Sequence, residues 1–312
     1  MHYALMIEPQ QGLPYTQQLA VARRVEALGF ETLFRSDHYD SFPGGLGRPT
    51  TDAWAVLAGL ARETQTIRLG TLVSPVTFRH PGHLAKVAAT VQEMSGGRVE
   101  FGLGTGWNEG EHKRFGLPFP PIAERADMLE EQLAILRGLW QEPDGWSFEG
   151  RHWTIGGSLT RPRPDPVPSL IVGGEGSPRS LRIAARWADE FNLTLSTPEI
   201  AVQRFAALDA AAVAIGRDPA TLRRSVMIGT LVGRDAADVE RRKRDLIAWV
   251  GPENDGAGWF EAHQPRWLFG TPAEARVQAA KFIESGCDRL MLQTFTPWDL
   301  SAIDLLADVI VR

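Results

Sequence analysis

The chain has 312 residues, 43% of them apolar, a formal net charge of −5 and one cysteine. That much apolar residue supports a substantial core, no apolar run approaches the about 20 residues that cross a bilayer, and the negative balance excludes a general nucleic-acid or membrane surface. Cys287, standing alone, excludes an internal disulfide and a cysteine metal cluster, and suits a reducing cytoplasm.

In chain order, His2–Ile7 reads as a strand ended by Glu8-Pro9-Gln10-Gln11-Gly12. Glu8 arrives too soon for the apolar stretch of a signal peptide. Thr16–Leu28 carries apolar residues at helical spacing, and Gly29 closes it. Glu31–Arg35 is a second strand whose exit, Ser36-Asp37-His38-Tyr39-Asp40 to Gly47, is polar and glycine-rich. Asp52–Arg62 comes next as a helix, Thr66–Leu69 as a third strand leading into Gly70–Pro75, and His83–Met94 as a helix turned by Ser95-Gly96-Gly97. Val99–Leu103 is the fourth strand and runs into a turn with Gly102, Gly104 and Gly106, then a helix rich in early acids. Such a turn either cradles an anion at a helix mouth or is only a tight strand-to-helix connection.

Further on, Ala123–Trp140 is amphipathic, and Trp146–Trp153 reads as an inserted hairpin with Glu149-Gly150 in its turn. Arg161–Pro168 is too proline-rich for either regular element. A strand at Ser169–Val172, the turn Gly173-Gly174-Glu175-Gly176-Ser177-Pro178 and a helix at Arg179–Trp187 come next. Glu190–Leu195 is a strand and Pro198–Ile215 a helix, while Ser225–Val232 and Arg289–Gln293 supply two more strands with helices around them. The eight strands lie near residues 3, 32, 67, 100, 170, 192, 228 and 291, alternating with helices and without a linker to split them. Eight βα units predict one (β/α)8 TIM-barrel domain over residues 1–312.

In such barrels the active site lies at the C-terminal ends of the strands, so the residues just past each strand are the site candidates. They are Glu8; Ser36 to Tyr39; Thr71, Leu72, Val73 and Ser74; Gly106, Trp107 and Asn108; and Gly173 to Ser177. His38 is the residue able to exchange a proton near neutral pH, or else a histidine bonded to its own loop. Asp37 need not touch it, because neighbours in an extended chain point apart. Glu8 is either a second acid at the mouth or a partner for the turn after it. His80 and His83 sit at a helix start with no acid beside them, and no cluster has metal-ligand spacing.

The motifs Glu8-Pro-Gln-Gln-Gly12, Arg35-Ser-Asp-His-Tyr39, Ile67-Arg-Leu-Gly-Thr71, Ser95-Gly-Gly-Arg98, Gly102-Leu-Gly-Thr-Gly-Trp-Asn-Glu109 and Ile171-Val-Gly-Gly174 together resemble the luciferase-like monooxygenase superfamily. Within it they look most like the actinobacterial branch that uses the deazaflavin coenzyme F420. The resemblance covers nearly the whole chain. It implies a bacterial luciferase-like (β/α)8 barrel with insertions, a homodimer, and a small-molecule substrate. It also implies a bulge with a non-proline cis peptide around Leu72, Val73 and Ser74 that supports the cofactor ring. The turns at Gly106-Trp107-Asn108 and Gly174–Ser177 would receive the ring edge and phosphate. Asp37 would border the deazaflavin and His38 would act as base, as in sugar-phosphate dehydrogenases of the branch. Those enzymes carry a glutamate where this chain has Trp107, so the proton donor is missing there and a sugar phosphate is disfavoured; Glu8 is the acid that resembles a substitute. The implied chemistry is hydride transfer at carbon 5 of F420. The competing expectations are a monooxygenase using FMN reduced by a partner enzyme, and a barrel that binds flavin or deazaflavin without catalysis.

Overall fold

A computed structural model describes residues 2–194 and 196–309. Strand β1 (His2–Ile7), helix α1 (Tyr15–Leu28), β2 (Thr32–Arg35), α2 (Ala53–Glu63), β3 (Arg68–Pro75), α3 (Pro81–Ser95) and β4 (Val99–Gly104) alternate through the first third. Helices α4 (Glu109–Arg114) and α5 (Ile122–Gln141) precede a hairpin of β5 (Trp146–Glu149) and β6 (Thr154–Ser158). The alternation resumes with β7 (Ser169–Gly174), α6 (Pro178–Trp187), β8 (Glu190–Leu193), α7 (Pro198–Val213) and β9 (Arg223–Val232). It ends with α8 (Ala236–Val250), α9 (Gly256–His263), β10 (Leu268–Gly270), α10 (Pro272–Glu284), β11 (Arg289–Thr294) and α11 (Leu300–Val309).

Strands β1, β2, β3, β4, β7, β8, β9 and β11 pair in parallel in that order, and β11 pairs back onto β1. The sheet closes into an eight-stranded barrel ringed by helices, a TIM barrel. The closing strands are the eight expected from the sequence. Strand β10, only three residues long, adds to the outer end of β9 through Leu268↔Thr230 and Gly270↔Val232, and was too short to read as a strand. Helix starts track the side chains that accept an orphan N–H: Asp52 caps α2, Ser177 caps α6, and Thr271 with Glu274 forms a capping box on α10. Gly29, at φ 79°, closes α1 in the left-handed conformation.

Period-two alternation divides each strand between two environments. One set packs inside the barrel as Ala4, Met6, Phe34, Ile171 and Met291. The alternate set, including Leu5, Leu33, Leu69, Phe101, Val172 and Phe191, faces the helical ring in the main core. Below the interior layer, at the N-terminal ends of the strands, lies a floor of charge. Arg289, fully buried, donates to Glu100 at 2.7 Å, Glu190 at 2.5 Å and Glu31 at 3.3 Å. Arg68 completes Glu100 at 2.6 Å, and Arg223 completes Glu31 at 3.0 Å.

Several boundaries differ from expectation. The third strand continues through Gly70–Pro75, because a register shift between Thr71 and Ser74 lets it resume pairing with β4 at Ser74↔Leu103. A bulge of that kind breaks the alternation that sequence reading depends on. The hairpin turn is longer than Glu149-Gly150, since β6 starts only at Thr154. The expected strand end at Leu195 lies outside the described residues; β8 runs to Leu193.

Candidate active site

The exit of β2 presents Asp37 and His38 in opposite directions, as extended neighbours must be. Asp37, 1% exposed, is gripped on both oxygens: Arg79 donates at 2.6 and 3.1 Å and Ser74 Oγ at 2.7 Å. Arg79 also donates to Asp52 at 2.5 Å, so one guanidinium holds two carboxylates. Asp37 therefore ties the β2 exit to the β3 bulge and has no oxygen open for proton transfer. Burial works to raise the Asp52 carboxyl, but Arg79 and the Ala55 N–H outweigh it and hold it below the usual range.

His38 turns the other way. Its Nδ1 lies 2.9 Å from Glu111 Oε2, on α4 and fully buried. Glu111 also accepts the backbone N–H groups of Tyr39 and, at 2.9 Å, Asp40. Those donations engage Oε1; with the carboxylate accepting at Oε2 as well, His38 Nδ1 is the donor of that contact and Nε2 is turned away from it. Among the described residues Nε2 has no hydrogen-bond partner. The arrangement is an acid-oriented imidazole at a barrel mouth, able to take a proton from a bound molecule or return one.

At the β3 bulge the Leu72–Val73 peptide is cis, as the resemblance implied. Val73 also explains the neighbouring glycines. A Cβ on Gly104 would sit 2.6 Å from Val73 Cγ2, and one on Gly173 2.8 Å from its Cγ1. A Cβ on Gly102 would strike the Thr71 carbonyl at 2.2 Å. Gly102 and Gly104 are therefore strand residues that make room for the bulge, and the expected three-glycine turn shrinks to Gly106, at φ 77°. Thr71 spends its hydroxyl on the Gly102 carbonyl at 3.1 Å. Asn108 caps α4 through the Glu111 N–H at 3.2 Å, while Trp107 projects at the rim, 63% exposed.

Glu8 is buried, with Gln10 donating at 2.7 Å and Gln293 at 2.5 Å. It serves the turn after β1, as one of the two expectations held, and also clamps β1 to β11. At the β7 exit, Gly173 and Gly174 end the strand, Glu175 points to solvent and Ser177 caps α6. Gly176, at φ 77°, packs under Arg204 of α7, whose Cδ would lie 2.7 Å from a Cβ there. No acid pairs with Arg204 among the described residues, and its Nε is buried without a partner. An unpaired guanidinium beside the α6 N-terminus suits an anionic group.

Glu111, Arg79 and Arg204 escaped sequence reading. The early acids of α4 were the one visible signal for Glu111; nothing local marked Arg79 or Arg204. His112 escaped as well: its ring is buried between the Asn108 carbonyl at 2.7 Å and Thr77 Oγ1 at 2.6 Å. His80 caps α3, where burial and neighbouring His83 lower its pKa. Among the described residues no three His, Cys, Asp or Glu side chains are grouped to hold a metal, and no helix is long and apolar enough to cross a membrane.

The sequence profile of luciferase-like monooxygenases matches residues 1–291. The chain belongs to the luciferase-like monooxygenase family. Relatives of this luciferase-like chain include an F420-dependent glucose-6-phosphate dehydrogenase from Intrasporangium calvum, 34% identical over 176 residues, 55% of this chain and 51% of that one. An F420-dependent hydroxymycolic acid dehydrogenase from Mycobacterium tuberculosis is 30% identical over 220 residues, 70% of this chain and 60% of that one. Among solved structures, an F420-dependent secondary alcohol dehydrogenase in complex with an F420-acetone adduct superposes with a TM-score of 0.83 at 20% identity over 98% of both chains. That likeness is one of fold and supports the luciferase-like barrel.

Proposed function

We propose that this luciferase-like protein is an F420-dependent oxidoreductase in which His38, oriented by Glu111, exchanges the substrate proton. The observation that carries the reading is the Nδ1 contact of 2.9 Å to a buried carboxylate, with Nε2 left uncommitted at the barrel mouth. Support for F420 comes from the dehydrogenases named as F420-dependent that align with much of this chain. The cofactor fits the residues present: Arg204, Gly176 and Ser177 would hold its anionic arm, and the Leu72–Val73 bulge with Trp107 and Asn108 would border its ring. When bound, F420 supplies a hydride acceptor or donor at carbon 5 of its ring. The chain itself would orient the substrate against that face, keep the imidazole in the Nδ1–H form, and receive or return a proton at Nε2. Asp37 and Glu8, with both oxygens engaged, act as positioning residues.

Titration of the purified protein with F420 and with FMN, read by cofactor fluorescence, tests the cofactor. Tight binding of F420 and weak binding of FMN is expected; the reverse preference would move the protein to the oxygen-using flavin enzymes. His38→Ala should retain F420 binding and lose about 10²–10⁴ in turnover, the usual contribution of a general acid–base group. Full turnover by that variant would remove His38 from the mechanism.

A further inference from the structure

A cavity of about 230 Å³ lies between the ends of β9 and β11 and the helices α8 and α11. Thr230 and Val232 line it from β9, and Thr294 from β11. Val232 packs with Ile228 and Leu292 in the main core under the helical ring. Alternation puts Thr230 and Thr294 on that same face of the sheet. Leu246 of α8 and Leu306 of α11 close the helix side. At the strand ends, Phe295 leans out to join the small cluster around α8 and α9. The cavity is thus on the other side of the sheet from the barrel interior.

Its entrance is aromatic. Trp249 and Trp298 line it with ring centroids 5.2 Å apart at 48° to each other, and Trp298 is 39% exposed. Arg48 lies over Trp249, 4.0 Å from its ring centroid, and donates to its carbonyl at 3.0 Å, which fixes that wall. The charges in the lining answer one another. Arg242 donates through Nε to Asp238 at 3.1 Å, through Nη1 to Asp299 at 2.6 Å and through Nη2 to Ser301 at 2.9 Å. Asp299 accepts the Ser301 hydroxyl on its other oxygen at 2.6 Å. Asp245 accepts from Arg241 at 2.8 Å, and its side chain is 62% exposed. A charged ligand would give up water for groups already paired, which is unfavourable. An apolar cavity of about 150 Å³ admits benzene, and drug-sized ligands take about 300 Å³ or more. This one has room for a substituted ring or two fused rings.

We propose that this side pocket binds a small uncharged aromatic molecule of one or two rings, held between Trp249 and Trp298. The site is independent of the F420-dependent reading, because none of its lining residues belongs to the group around His38.

Calorimetric titration of the purified protein with 2-naphthol tests the pocket without any cofactor. One saturable site per chain is expected. The anion 2-naphthoate and the cation 2-naphthylmethylammonium should each bind about tenfold or more weakly, because neither finds an unpaired charge. Trp298→Ala should weaken 2-naphthol by up to about tenfold, the range of one aromatic contact. Ala302→Phe fills the cavity from α11 and should abolish binding, with Tm measured to show that the chain still folds. Trp298→Ala, at an exposed position, decides the matter if Ala302→Phe does not fold. His38→Ala should bind 2-naphthol as the wild type does. Absence of saturable binding, or a charged congener held as tightly as 2-naphthol, overturns the proposal. Binding that survives both pocket variants and is lost in Trp107→Ala also overturns it, since the ring would then sit at the barrel mouth.

Discussion

The two ends of this barrel bury charge in opposite ways. At the floor, Arg289, Glu100, Glu190, Arg68 and Arg223 stand on the first or second residue of their strands, and with Glu31 they answer one another across the barrel. Burial alone would lower the Arg289 guanidinium, yet Glu190, Glu100 and Glu31 outweigh it and raise it. At the mouth the charges come from loops and helix starts, and the His38–Glu111 pair leaves His38 Nε2 without a partner among the described residues. A network that satisfies every member makes a scaffold, whereas one that holds a side chain firmly by one side only makes a reactive group.

Removing the centre of the floor should have the largest effect. Arg289→Met leaves Glu100 and Glu190 buried without their shared cation, a loss of about 3–5 kcal/mol and on the order of 10 °C in Tm. Cofactor affinity of the folded fraction should stay at the wild-type value, because the mouth is at the other end. Calorimetry with F420 titration checks both; a Tm within about 2 °C of wild type on the same scale would mean that the floor is not the scaffold described.

The matching change at the mouth is Glu111→Gln, which keeps the shape and removes the charge that selects Nδ1–H. Turnover should fall about 10²-fold, or roughly 2.7 kcal/mol of barrier, with a smaller Tm change than at the floor. Unaltered turnover would separate Glu111 from the chemistry. Next in size is Gly104→Ala, whose methyl would overlap Val73 and cost about 1–3 kcal/mol. Val73→Ala in the same chain should return part of it; no recovery would show that Gly104 is needed for some other reason.

The smallest effect is electrostatic. The Asp52 carboxyl is held below its ordinary value in the fold, so the unfolded chain takes up its proton first as pH falls. Its stabilisation is complete above about pH 4 and is lost as pH drops through the folded-state value. Asp52→Asn should lower stability at neutral pH by about 1 kcal/mol or less and reduce acid sensitivity below about pH 4. An unchanged acid slope in that variant would assign the sensitivity to other carboxylates. Glu190, raised first by burial, works in the opposite sense, since its contribution fades as pH rises.

Much of the fold was readable because the period-two and helical patterns are local. All eight barrel strands were located that way, and the exits of the first five named stretches of the mouth. Local reading failed where a residue answered something distant. Gly102 and Gly104 suggested a phosphate turn, but their neighbour is Val73, thrown inward by a bulge on the adjacent strand. Asp37 and His38 were expected to point apart, but nothing local named the partner that each takes from another element.

Local chain chemistry thus determined the βα rhythm, the barrel and the histidine at its mouth. Barrel closure chose the rest: Glu111 reaches His38 across 73 residues of chain, and Arg79 reaches Asp37 across 42. Strand register and closure set those separations, and no periodicity along one segment encodes which of many carboxylates will arrive at a given ring nitrogen.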